Sequence, residues 1–152
     1  MAVFRFRLGT LLHVKEQMEK SAKNELGLAV VRLEAERGRL AAIEQELTVI
    51  RENLVKAVIG IISPGDIRSL HAFLEARESV RDHQQDAVKE AAKTVDTIRD
   101  RVVALMQERK VLEKLREKEW EQYRVESIQE EQRQVDELVT YRGRSGQETQ
   151  DV

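Results

Sequence analysis

Apolar residues in the first half of the chain recur in alternating steps of three and four: Leu26, Ala29, Leu33, Glu36, Leu40, Ile43, Leu47, Ile50, Leu54, Ala57 and Ile61. Only Glu36 interrupts the run. A mean step of about 3.5 is the a/d seam of a left-handed coiled coil, in which a slightly underwound helix keeps one face turned to its partner. The same register reaches back, more weakly, through Ala22, Glu19, Lys15, Leu12 and Leu8. A second seam reads Ile67, Leu70, Leu74, Arg77, Arg81, Gln84, Val88, Ala91, Val95, Ile98, Val102, Leu105, Arg109 and Leu112. Positions 77–84 of it are polar, which leaves two registers open. Either the seam continues through Arg77, Arg81 and Gln84, or it shifts locally to Phe73, Val80 and Ala87.

Between the seams stands "GIISPGD", residues 60–66, with the sole proline between two glycines. Ser63 offers an N-cap oxygen, Pro64 suits the first helical position, and Asp66 meets the positive end of the helix dipole. The pattern predicts helix 1 over about 5–61, a turn at 62–65 and helix 2 over about 66–140. It also predicts a disordered tail over 143–152, where glycine and polar residues show no period. Two seams and one short turn predict an all-α fold, a long two-helix antiparallel coiled-coil hairpin forming a single domain over 1–142. The expected core is Leu26, Leu33, Leu40, Ile43, Leu47, Ile50 and Leu54 from helix 1, with Val88, Val95, Ile98, Val102 and Leu105 from helix 2.

Antiparallel pairing sets residue i opposite roughly residue 127 − i. Leu54 is then expected near Phe73, Leu33 near Val95, and Leu8 near Glu119 and Trp120. At ~1.5 Å per residue an arm of about sixty residues makes a rod of about 90 Å. The same rule carries Phe4 and Phe6 to Trp120 and Tyr123, so four of the six aromatics gather at the open end. They can lock the two ends together, form a docking end, or do both. Gly27 and Gly38 each cost a helix roughly 1 kcal/mol against alanine, which tertiary contact is expected to offset.

Composition agrees with long helices. Charged residues make up 36% of the 152, aromatics only 4%, and one proline breaks the chain; so few aromatics leave a narrow seam and no thick core. The formal net charge of −2 comes from interleaved acids and bases, without the basic block that marks nucleic-acid binding. Cysteine is absent, which excludes disulfides and thiolate metal sites. The opening "AVFRFRLGTLLHVKE" reads poorly as a signal peptide: its apolar run is short, contains His13 and leads to no small-residue cleavage site. No stretch approaches the ~20 apolar residues of a membrane span.

Candidate chemistry is sparse. His13, His71 and His83 lack the i, i+4 spacing of helical metal ligands. Most carboxylates have basic neighbours one turn away, as Glu113 has Lys110 and Arg116, which is the pattern of a solvated helix face. "GIISPG" lacks the lysine and hydroxyl residue of a phosphate-binding loop. A two-helix rod offers few concave surfaces for catalysis. The expectation is therefore a non-enzyme with no cofactor, no metal, no small-molecule substrate and no nucleic-acid partner. Two features exceed a plain rod. Phe73 and Leu74, near the turn, suit either core packing or a partner contact. Over 109–142 the apolar positions thin to Leu112, Leu115, Trp120, Tyr123, Ile128, Val135 and Leu138 amid dense charge, as in a helix that meets solvent or inserts into another assembly.

These segments together resemble the FliJ family of flagellar type III export proteins. The family's two alternating aromatics followed by leucines appear as Phe4, Phe6, Leu8, Leu11 and Leu12. Its late-helix pattern is similar to "LEKLREK" at 112–118, and its closing motif to Asp136, Glu137, Leu138 and Arg142. The resemblance spans about 3–142. Lys15 stands where many members have arginine, and Ile43, Leu47 and Ile50 stand where the family often has tyrosines. The Phe-Leu pair after the turn is kept as Phe73 and Leu74.

The resemblance implies a coiled coil similar to the gamma-subunit stalk of rotary ATP synthases. It implies that the open end binds the hexameric flagellar export ATPase and promotes its ring assembly and activity, through Phe4, Phe6, Leu8, Leu11, Trp120, Tyr123, Asp136, Glu137 and Leu138. It implies that Phe73 and Leu74 contact the cytoplasmic domain of the export gate membrane protein, and that substrate-specific export chaperones are further partners. The protein is then cytoplasmic, monomeric alone and peripheral to the inner membrane through the export apparatus. Two alternatives stay open: the stalk of a virulence type III secretion system, and a generic dimeric coiled-coil scaffold.

Overall fold

The structure, a computed structural model, describes residues 3–60 and 63–147. It is 94% helical, with no strand among the described residues. Two elements follow in order: α1, Gly9–Ile59, and α2, Pro64–Gln147. The all-α, two-helix coiled-coil architecture is the one the heptads predict.

The helix bounds differ from the periodicity in instructive ways. α1 begins at Gly9 rather than near 5, and its first turns are set by Gly9 N–H donating to the Phe6 carbonyl at 3.0 Å and Leu12 N–H to Leu8 at 2.9 Å. The preceding segment alternates: Phe4 and Phe6 are half-buried, while Arg5 and Arg7 are exposed. A period of two is a property of extended backbone, since a helix would rotate the two phenylalanines apart. α1 stops at Ile59, and Gly60 N–H closes its last turn on the Lys56 carbonyl at 3.0 Å. Ile61 and the first part of the expected turn lie outside the described residues.

α2 begins at Pro64, as its cap dictates. The Asp66 N–H donates to the Ser63 carbonyl at 3.1 Å, and the Ser63 hydroxyl donates to Asp66 Oδ2 at 3.0 Å. α2 also runs past 140 to Gln147, through the start of the expected tail. Two glycines, Gly143 and Gly146, each cost about 1 kcal/mol, which does not stop a helix that gains a hydrogen bond with each added residue. Residues 148–152 lie outside the described set.

The chain divides into two compact units. In the first, Glu19–Ala104, α1 and the opening half of α2 run antiparallel. Glu25 pairs with Arg101, Glu36 with Gln84, Glu46 with Arg77, and Arg51 with Glu78 at 2.9 Å. One buried cluster of its core joins Leu33 to Ala91 and Val95, flanked by Leu26, Ala29, Val88 and Ala92; the expected meeting of Leu33 and Val95 is there. The second unit, Met1–Met18 with Leu105–Val152, sets the N-terminal segment and the first turns of α1 against α2. Lys15 Nζ meets Glu108 Oε2 at 2.5 Å, and Leu12, Leu105 and Leu112 are buried.

From Leu12 to Ala57 every expected seam position of α1 is buried or half-buried, and every other position is exposed. On α2 the seam holds from Ile67 to Leu112 in one register. The local shift to Phe73, Val80 and Ala87 does not occur: Phe73 is 53% and Val80 43% exposed. Arg77 and Gln84 keep the seam because partners await them on α1, while Arg81 pairs with Asp82 beside it. Gln84 Nε2 donates to the Glu36 carbonyl at 3.0 Å and to Glu36 Oε2 at 2.5 Å, and Arg77 bonds to Glu46. The one interruption of the first seam thus faces a polar residue of the second.

One smaller expectation is corrected. An added Cβ at Gly27 or Gly38 would meet nothing within 4 Å, so no tertiary contact there offsets the glycines. Glu113 pairs with Arg109 one turn away at 2.7 Å, as carboxylates of a solvated helix face do.

Candidate functional site

Antiparallel pairing brings the N-terminal segment across α2 within the second unit. Phe4 meets Trp120 edge-on, with ring centroids 5.2 Å apart and planes at 75°, and meets Tyr123 at 5.5 Å. Trp120 and Tyr123, three residues apart on one helix face, stack at 5.8 Å. These separations lie in the range of favourable aromatic pairs, each contributing about 0.5–1.5 kcal/mol beyond its buried area. The cluster locks the segment down and still leaves Trp120 47% exposed. It closes an end and presents a surface at once.

Phe6 departs from the expected quartet. It makes no ring contact with Trp120 or Tyr123 among the described residues and instead folds over its own turn, beside Gly9. The turn that Gly9 N–H closes on the Phe6 carbonyl holds Phe6 against α1, while Phe4, two residues earlier, reaches the α2 rings. Leu8 is half-buried and Leu11 is 43% exposed; Leu12, one position on, fills the seam. Asp136, Glu137 and Leu138 stand on α2 about four turns beyond Tyr123. All residues from Ile128 to Arg144 are exposed. There Ile128 and Val135 flank a shallow groove with Glu131, Gln132 and Asp136, all of one helix, and the side chains over 128–140 are exposed.

The Phe73–Leu74 pair is split by the helix. Leu74 is a seam residue, 9% exposed, whereas Phe73 projects from the flank. The Phe73 ring closes a groove of about 460 Å³ with Ala42, Gln45, Glu46, Val49 and Ile50 of α1. The seam rule gives the level along the helices but not the side, and a flanking residue reaches toward the outer face of the opposite helix. Ala42 and Val49 were missed for the same reason. Their seven-residue spacing off the seam is the signal that marks an apolar outer strip.

Electrostatics single out Glu36 of the polar layer. The Gln84 amide bonded to Glu36 holds that carboxyl below the usual carboxylate range, with Arg39 and Arg32 assisting against partial burial. It stabilises the polar layer of the seam; nothing converges on it as on a catalytic acid. Among the described residues no group of His, Asp or Glu is arranged to hold a metal ion, and no helix is long and apolar enough to cross a membrane.

Residues 4–148 match the family described as flagellar FliJ protein. No curated protein and no solved structure matches the chain.

Proposed function

The chain belongs to the flagellar FliJ protein family, a component of flagellar protein export, and from that premise we propose that it is the non-catalytic stalk of the export ATPase complex. In this reading the open end, with Phe4, Phe6, Leu8, Leu11, Trp120 and Tyr123, enters the hexameric ATPase and promotes its ring assembly and activity. Asp136, Glu137 and Leu138 extend that contact along α2. The fold then works as the gamma-subunit stalk of rotary ATP synthases does. The observation that carries the reading is the half-open aromatic cluster in a unit whose long helix continues, exposed, for about five turns beyond it. A helix with exposed apolar side chains and no partner of its own is built to be covered by something else.

Phe73, with Ala42 and Val49, is the surface we assign to the cytoplasmic domain of the export gate protein. Leu74 supports it from below as a core residue. Chaperones carrying export substrates complete the set of partners, and the protein works in the cytoplasm, held at the inner membrane by the export apparatus. Purified chain added to its own export ATPase is expected to raise both the ATP turnover and the hexamer fraction. Demonstrated binding with neither quantity changed overturns the stalk reading.

A further inference from the structure

Beside the aromatic cluster lies a hollow of about 560 Å³ whose floor is apolar and whose rim is basic. Phe4, Phe6 and Leu12 line it together with Arg5, His13 and Arg116, against one acid, Glu16. No acid precedes Glu16 in the sequence. Arg5, Arg7 and Arg116 have no carboxylate partner among the described residues, whereas Arg37, Arg51, Arg77, Arg101 and Arg109 are all paired. Arg5 and Arg116, the two arginines that line the hollow, are exposed and without an ion pair among the described residues, so their charge is available to a partner.

We propose that the hollow is the seat of an apolar side chain carried beside carboxylates on a protein partner. Resting on the stalk reading, the proposal makes that partner the ATPase ring and its contacting element an acidic, apolar-tipped segment. Phe4, Phe6 and Leu12 offer a surface that a phosphate backbone could not fill, and three bases around Glu16 are too few for nucleic acid, which is bound through clustered charge. A carboxylate flanked by an apolar residue satisfies both the floor and the rim. Charge of this kind chiefly steers encounter and fixes register, and being exposed it is screened by salt.

Titration calorimetry of the full chain against its purified export ATPase tests this at 50 and 300 mM salt. Wild-type affinity is expected to fall with salt, and Arg5→Glu with Arg116→Glu to weaken binding about tenfold or more at low salt and to remove most of the salt dependence. Helical content should not change, since both side chains are exposed. Arg68→Glu, an exposed base near the start of α2, is the control and should bind as wild type. Wild-type binding that ignores both salt and the double reversal overturns the proposal and leaves the stalk reading standing. Failure of the wild type to bind the ATPase at all removes the stalk reading and the proposal with it. A reversal that abolishes binding to vesicles of anionic phospholipid, or to RNA, while ATPase binding persists unchanged, assigns the hollow to that other partner and overturns it equally.

Discussion

Glu36 and Gln84 are where the residue-level chemistry departs from a plain hydrophobic seam. A carboxylate at a core-facing position costs solvation unless it is bonded, and the Gln84 amide bonds both its carboxylate and its backbone carbonyl. Because the folded pKa lies below the unfolded value near 4.5, the contribution is present above that value and is lost as pH falls through the lower folded one. Urea midpoints measured from pH 6 down to pH 3 are therefore expected to fall more for the wild type than for Glu36→Gln. Equal slopes would sink this account of the polar layer. Gly27 and Gly38 make the opposite case, since neither has a neighbour that a methyl group would touch. Gly27→Ala and Gly38→Ala should each stabilise the protein by about 0.5–1 kcal/mol, visible as a higher thermal midpoint.

The second helix shows how an element divides its work between adjacent positions. Leu74 faces the seam and Phe73 faces outward, so the two should behave differently when cut back. Leu74→Ala is expected to cost about 2–5 kcal/mol, as large-to-small changes in a packed core do. Phe73→Ala should cost well under that and instead weaken binding to the isolated cytoplasmic domain of the export gate. Denaturation curves and a pull-down with that domain separate the roles; a Phe73→Ala protein that unfolds as readily as Leu74→Ala makes Phe73 a core residue. The same element carries the polar interruption Arg77, Arg81 and Gln84 without losing register: Arg77 and Gln84 meet polar partners on α1, and Arg81 pairs with Asp82 of its own helix.

For the whole molecule the deciding property is what covers the exposed apolar positions. Leu28, Val31 and Ile59 on α1, and Val135, Leu138 and Val139 on α2, are each at least half exposed. A stalk leaves them free until it meets its partners, whereas a dimeric scaffold buries them in itself. Mass action makes the thermal midpoint of an obligate dimer rise with concentration. The midpoint here is expected to stay constant from 1 to 100 micromolar, with a monomer mass in sedimentation equilibrium. A rising midpoint with a dimer mass would return the scaffold reading.

Sequence alone determined the two helices, the seam and its level-by-level pairing, because a heptad is a local, one-dimensional signal that one strong constraint, burial of an apolar stripe, enforces throughout. It also determined the cap at Ser63, where a few adjacent atoms make the bond. The ends of the helices escaped it: Phe4 to Leu8 stand outside α1, with a turn at Arg7 and Leu8, and α2 outruns its apolar pattern to Gln147. Only the tertiary structure decided which side each flanking residue takes. It separated Phe6 from the Trp120 cluster, turned Phe73 onto Val49 and Ala42, and gathered Arg5, His13 and Arg116 around one hollow. The physical reason is that heptad spacing fixes height along a pair of helices, while the side from which a residue is reached depends on rotation about the helix axis and on partners far away in the chain.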